Sequence, residues 1–153
     1  MRTNRVRDLW REGQPAVGCF LSTASPLLAE AMGHVGFDWL LVDMQHSETN
    51  LAQVQGMLQA LSATPATPLV RVAGNDSILI QRVLDLGAYG VLVPLVNTRE
   101  EAEAAVRAAK YPPQGARSWG PIRGSLYGGP DYFDHANETL VLLVMLETRE
   151  AVR

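Results

Sequence analysis

A cluster of polar side chains follows an apolar run in the stretch LLVDMQHSETN, residues 40–50. The polar residues at this point are Asp43, Gln45, His46, Ser47 and Glu48. A histidine exchanges a proton near neutral pH and can act as a general base, and a nearby carboxylate such as Asp43 could orient it. The stretch is typical either of an active-site edge or of a strand that runs out into a polar turn.

Two more charged residues stand where apolar runs end. Arg71 closes PLVRV and Glu147 closes LVLLVMLE. An arginine at the end of an otherwise apolar strand is costly to bury without an anionic partner, which favours a ligand-binding role for Arg71. Glu147 could ligate a hard divalent ion, or it could be an ordinary acid stabilised at the start of a helix.

These residues need a framework, and the chain alternates short apolar runs with helix-patterned stretches. The predicted strands are residues 16–22, 37–43, 68–72, 89–95 and 140–147. The predicted helices are residues 25–36, 50–63, 75–88 and 97–110, with a further helix opening at TREAVR and a Gly- and Pro-rich excursion over 110–133. Strands that are apolar throughout are covered on both faces, and strand–helix alternation with short links indicates parallel βαβ units. An open doubly wound sheet and part of a β/α barrel both fit this pattern.

The positions of the polar residues favour the barrel. Asp43, His46, Arg71, Asn97 and Glu147 would all collect at the carboxyl edge of one parallel sheet, where ligands bind in both architectures. No GxGxxG or Walker-type loop follows the first strand, as a nucleotide-binding open sheet would require.

Composition excludes several other classes. The chain has 153 residues, enough for one domain, and a net charge of -3, so nothing draws it to nucleic acid or to an anionic membrane. No apolar run approaches the ~20 residues of a membrane span, and the N-terminus lacks the apolar core of a secretory signal. The single cysteine, Cys19, fits a reducing compartment, so a cytoplasmic protein is expected.

Several motifs along nearly the whole chain resemble the HpcH/HpaI aldolases, which are metal-dependent (class II) pyruvate aldolases related to the citrate lyase β subunit. The most specific are GFDWLLVDxxH, the xVRV strand end, LDLGAxGVLVPxV, and RYPPxGxR, here KYPPQGAR. The resemblance implies a β/α barrel that cleaves a 4-hydroxy-2-oxo acid into pyruvate and an aldehyde, with Mg, Mn or Co as the divalent ion. The only lysine, Lys110, closes a predicted helix, so a Schiff-base aldolase would have no nucleophile here.

The resemblance also implies roles for individual residues. His46 matches the catalytic histidine, Arg71 the arginine that binds the pyruvate oxygens, and Glu147 the first metal ligand. Asp43 and Asp85 match acidic residues that support the histidine and its surroundings.

Two expected substrate-binding positions depart from the family pattern. Gln45 stands where an acidic residue is common, and Met145 where many members carry Gln. Both changes bear on the identity of the substrate more than on the class of reaction. Arg117, on the excursion, is a further candidate for binding an acidic substrate.

The chain also departs from the family in length, because it has 153 residues and a β/α barrel normally needs about 250 residues and eight strands. The sequence therefore predicts an α/β fold that is a partial TIM-type barrel of about five βα units, with residues 1–153 as one incomplete domain. The second metal ligand, expected on a GPxDL-type stretch after strand six, is absent, so weak or no activity is expected. Open sheet edges favour a homo-oligomer. The alternatives are a citrate lyase β-like or malyl-CoA lyase-like enzyme, and a non-catalytic fragment or assembly subunit.

Overall fold

A five-stranded parallel sheet forms the centre of the computed structural model, which describes residues 1–153. Its strands are β1 Gly18–Leu21, β2 Trp39–Asp43, β3 Thr67–Arg71, β4 Gly90–Val93 and β5 Val141–Val144. Neighbours in the sheet are neighbours in the sequence, in the order β1-β2-β3-β4-β5. A doubly wound sheet reverses its strand order at a switch point, whereas a barrel adds its strands in sequence. The expected partial barrel is therefore confirmed.

Seven helices accompany the sheet. They are α1 Arg5–Arg11, α2 Pro26–Gly33, α3 Leu51–Leu61, α4 Ser77–Asp85, α5 Arg99–Ala109, α6 Ile122–Gly128 and α7 Tyr132–Thr139. Helices α2 to α5 each begin at a residue whose side chain accepts a hydrogen bond from a backbone N–H of the first turn. These residues are Ser25, Asn50, Asp76 and Thr98. The longest helices have 11 residues, and none is long and apolar enough to cross a membrane.

Helices α2 to α5 pack against the outer face of the sheet, and the inner face lines an apolar cavity. Residues from the inner face of the strands and from the adjoining α1 line this cavity, which has a volume of about 170 Å³. Its lining includes Phe20, Leu41, Leu69, Leu92, Leu143 and Trp10. Asn4, the cap of α1, donates to the carbonyls of Tyr89 and Thr139, which lie at or just before the starts of β4 and β5. Helix α1 is thus fixed at the amino edge of the sheet, away from the carboxyl edge.

Three segments differ from the sequence prediction. Helix α1 was not predicted, and the Gly- and Pro-rich excursion contains α6 and α7. Neither α6 nor α7 has a side-chain cap, so the local signal for a helix start is missing. Arg123 fixes α6 by donating to the carbonyls of Leu86 and Leu58. The helix predicted at TREAVR is wrong, since this segment forms turns.

Candidate active site

Asp43 and Arg71 form a buried ion pair at the carboxyl edge. They are the last residues of β2 and β3 and lie opposite each other in the parallel ladder. The Arg71 Nε donates to Asp43 Oδ1 at 2.9 Å, and Nη2 donates to Oδ2 at 2.6 Å. The Asp43 side chain is 2% exposed and that of Arg71 is 11% exposed. Strand register therefore creates a bidentate pair, the strong geometry for guanidinium and carboxylate.

The same carboxylate fixes the loop that carries His46. Asp43 Oδ1 accepts the backbone N–H of Gln45 at 2.9 Å and that of His46 at 3.3 Å. Burial alone would raise the pKa of Asp43, but the hydrogen bonds from Arg71 and these two amides outweigh it and hold the pKa below its ordinary value. The D-x-x-H spacing thus places a charged carboxylate under the turn and presents the histidine above it.

His46 itself is exposed, and its imidazole makes no hydrogen bond to the protein. Asp43 acts on the backbone of His46 and not on the ring, which corrects the expectation that this carboxylate orients the imidazole. Both ring nitrogens are consequently open to a hydrogen bond with a bound molecule.

The reason for the burial of Arg71 differs from the one that the sequence suggested. Its anionic partner is Asp43, so burial of this arginine does not by itself require a ligand. Hydrogen bonding to Asp43 raises the pKa of Arg71 against the opposing effect of burial, and the charge of Glu147 adds to the rise. Nη1 faces the sulfur of Met145 at 3.9 Å and has no oxygen acceptor, so one edge of the guanidinium can still bind an anion.

Glu147 lies beyond β5 at the same edge and is exposed. Its Oε1 accepts the backbone N–H of Leu95 at 3.0 Å. No group of three His, Cys, Asp or Glu side chains that could hold a metal ion occurs in the chain. A hard divalent ion takes about six oxygen ligands, so Glu147 is a single candidate ligand and these residues do not form a complete metal centre.

Leu95 holds its amide toward Glu147 in a left-handed conformation, with φ 54°. An L-residue with this backbone carries a strain of about 1–2 kcal/mol, and a β-branched side chain fits it worst. We expect Leu95→Val to lower the free energy of unfolding by about 1 kcal/mol. Leu95→Asn should keep it or raise it slightly, because Asn tolerates this conformation and the leucine side chain is half-exposed. Urea denaturation measures both, and equal midpoints for the two variants would contradict the assignment of strain.

A polar cleft of about 500 Å³ opens beside His46, between the loops that follow β1 and β2. It is lined by Ser22, Thr23, Ala24, Gln45, His46, Ser47 and Glu48. Sequence reasoning did not identify the β1 loop as part of the site. The signal was present, because LSTAS turns polar at a strand end just as LLVDMQHSETN does.

Asp85 and Arg117 lie elsewhere. Asp85 is the last residue of α4, which runs back from the carboxyl edge of the sheet to its amino edge. Four residues later, Tyr89 donates its backbone N–H to Pro68 of β3 at the amino edge. The Asp85 carboxylate accepts from Arg117 Nη2 at 2.7 Å, and Arg117 also donates to the hydroxyl of Tyr132. The structure therefore does not bring Asp85 to His46. The Arg117 side chain is fully buried, which contradicts its candidacy as a residue that binds an acidic substrate.

The comparisons with known proteins agree with this architecture. The chain is 46% identical over 149 residues to a hydroxypyruvate/pyruvate aldolase from Rhizorhabdus wittichii. It is 42% identical over 153 residues to a 4-hydroxy-2-oxo-heptane-1,7-dioate aldolase from Klebsiella pneumoniae. The matches cover 97% and 98% of this chain, but 59% and 58% of those two proteins. The chain thus spans somewhat less than three-fifths of the length of these curated relatives.

A solved structure gives the same result for the fold. The crystal structure of an HpcH/HpaI aldolase/citrate lyase family protein from Burkholderia cenocepacia matches with a TM-score of 0.90 at 33% identity, covering 98% of this chain and 62% of that one. The sequence profile of HpcH/HpaI aldolase/citrate lyase matches residues 16–153. The chain belongs to the HpcH/HpaI aldolase/citrate lyase family.

Proposed function

We propose that this chain carries the oxo-acid-binding and proton-transfer part of an aldolase active site, acting on 4-hydroxy-2-oxo acids to give pyruvate and an aldehyde. The observation that carries the proposal is the dual role of Asp43. One buried carboxylate holds the Arg71 guanidinium and the backbone of the His46 loop, so a cation and a free imidazole face the same edge. An anion binder beside a general base is the combination that retro-aldol cleavage of an oxo acid needs.

The steps follow from these positions. His46 takes the proton of the C4 hydroxyl, the C4–O bond becomes the aldehyde carbonyl, and the C3–C4 bond breaks. Its electron pair moves into the C2–C3 bond and leaves an enolate oxygen on C2. Arg71 donates through Nη1 to the carboxylate or the enolate oxygen, where negative charge develops. The protonated His46 then gives this proton to C3, directly or through a water molecule, which completes pyruvate and restores the neutral imidazole.

Glu147 is the one residue of this chain that we propose as a ligand for a divalent ion. When bound, Mg, Mn or Co would supply a Lewis acid for the oxygens of the oxo acid. Glu147 would give one ligand, and the remaining oxygens must come from other sources, such as the substrate, water or a further polypeptide segment. In this proposal His46 is the base and Arg71 supplies the guanidinium that binds the oxo acid.

Proton exchange and turnover test the proposal together. The full chain is incubated with pyruvate in D₂O, with and without added Mn or Mg, and loss of the methyl protons is followed by NMR. Pyruvate release from a 4-hydroxy-2-oxo acid is measured in parallel, and size-exclusion chromatography with light scattering tests the expected homo-oligomer. We expect slow exchange and release that added metal stimulates, because Glu147 is a single candidate ligand for the ion.

The outcomes separate the candidate functions. A well-folded chain that exchanges no methyl protons and releases no pyruvate under any metal condition would overturn the proposal and favour a non-catalytic subunit. Release of an acyl-CoA product from a malyl-CoA-type substrate, with no activity on 4-hydroxy-2-oxo acids, would instead favour the malyl-CoA lyase-like alternative.

A further inference from the structure

The order of the loops along the carboxyl edge gives the bound substrate a direction. The edge carries, in sheet order, the β1 loop, the His46 loop, Arg71, Leu95 and the Glu147 segment. In the proposed function, on which this inference rests, the oxo-acid end lies between Arg71 and Glu147. The other end, which leaves as the aldehyde, must then extend from His46 toward the β1 loop, into the polar cleft.

This cleft has no cationic side chain that could bind a second carboxylate of a substrate. None of its seven lining residues is Arg or Lys, and one, Glu48, is an exposed carboxylate. The other polar groups include the hydroxyls of Ser22 and Thr23. The nearby start of α2 gives little compensation, because its first residue is Pro26, which has no N–H, and Ser25 already accepts the amide of Leu28. A carboxylate on the aldehyde would meet an uncompensated like charge.

Gln45 supplies a second, independent observation. Its Oε1 atom is buried and has no hydrogen-bond partner. A buried acceptor needs a donor, which a hydroxyl or a bridging water can provide and a carboxylate cannot. Ser47 is not available for this purpose, because its hydroxyl already bonds to the Asp43 carbonyl and to Thr49.

We infer that the cleft selects a neutral, hydroxylated aldehyde and that Glu48 is the residue that excludes aldehydes with a second carboxylate. Glu48 acts here as a specificity determinant and takes no part in proton transfer. Its effect should fall mainly on KM for aldehydes that carry a carboxylate.

The test compares glyceraldehyde with succinic semialdehyde, which are neutral and anionic probes of similar size. The full chain with added Mn is assayed for addition of pyruvate to each aldehyde. Binding of each aldehyde without pyruvate is followed in parallel from the ring-proton resonances of His46. We expect the wild-type chain to prefer glyceraldehyde by about tenfold or more, the order expected for like charges a few Å apart at a hydrated surface.

Substitutions then assign the preference to Glu48. Glu48→Gln should reduce the preference about tenfold, mainly by improving KM and affinity for succinic semialdehyde, and Glu48→Lys should reverse it. Glu30→Gln is the matched control, because Glu30 is an exposed acid on α2 outside the cleft, and it should leave the ratio unchanged.

The binding measurement keeps this inference separate from the proposed function. If neither aldehyde reacts but glyceraldehyde still binds more tightly in a Glu48-dependent manner, the proposed function fails and the inference about the cleft holds. Equal affinities, tighter binding of succinic semialdehyde by the wild-type chain, or a ratio unaffected by Glu48→Gln would overturn the inference, even with full aldolase activity.

Discussion

His46→Gln is expected to lower the rates of pyruvate methyl-proton exchange and of pyruvate release by a factor of about 10² to 10⁴, the usual contribution of a positioned general base. The free energy of unfolding should change by less than about 0.5 kcal/mol, because the imidazole is exposed and makes no hydrogen bond to the protein. Glutamine keeps a polar side chain of similar reach but cannot take up a proton. Rates are measured by NMR and coupled assay, and stability by urea denaturation of the same preparations.

The control for this substitution is His34→Gln, since His34 is an exposed histidine at the end of α2. It should retain full activity. A His46→Gln variant that is folded and exchanges pyruvate protons at the wild-type rate would remove His46 from its proposed role. A loss of activity accompanied by unfolding would show instead that His46 supports the structure.

Much of the architecture could be predicted because its signals are local. Apolar runs that alternate with helix-patterned stretches indicated the strands of a parallel sheet, and the caps Ser25 and Asn50 fixed the starts of two helices as expected. Helix α6 escaped prediction because it depends on long-range contacts. Arg123 holds it against Leu58, 65 positions earlier in the chain, and no short window of sequence contains that information.

In the candidate site, too, some features follow from the sequence and others depend on contacts between distant residues. That His46 and Arg71 share an edge follows from the rule that parallel strands carry their ligands at their carboxyl ends. The pairing of Arg71 with Asp43 depends on the register between β2 and β3, which the sequence pattern does not specify. The sequence also does not show that Arg117 is buried against Asp85 and Tyr132, so this residue remained a candidate for substrate binding.

The register-dependent pair gives the largest expected effect on stability. Asp43→Asn should lower the free energy of unfolding by about 3–5 kcal/mol, because it leaves the guanidinium of Arg71 almost buried without a counter-charge. The variant should also lose activity, since Arg71 and the His46 loop are both released from their positions. Glu103→Gln is the control: Glu103 pairs with Arg99 at an exposed site on α5, where an ion pair contributes only about 0.3–0.5 kcal/mol. Equal, small losses in both variants would contradict the structural role of Asp43.

Acid unfolding gives an independent measurement of the same pair. The folded chain holds the pKa of Asp43 below the value of about 3.9 that an unfolded aspartate has. Between these two values the unfolded chain binds the additional proton, so the stabilisation is complete above about pH 4 and is lost as the pH falls through the folded pKa. Asparagine does not titrate. The stability difference between the wild-type chain and Asp43→Asn should therefore be constant from about pH 5 upward and shrink below about pH 4, and a difference that stays unchanged down to pH 2 would show that the charge of Asp43 is not what stabilises the pair.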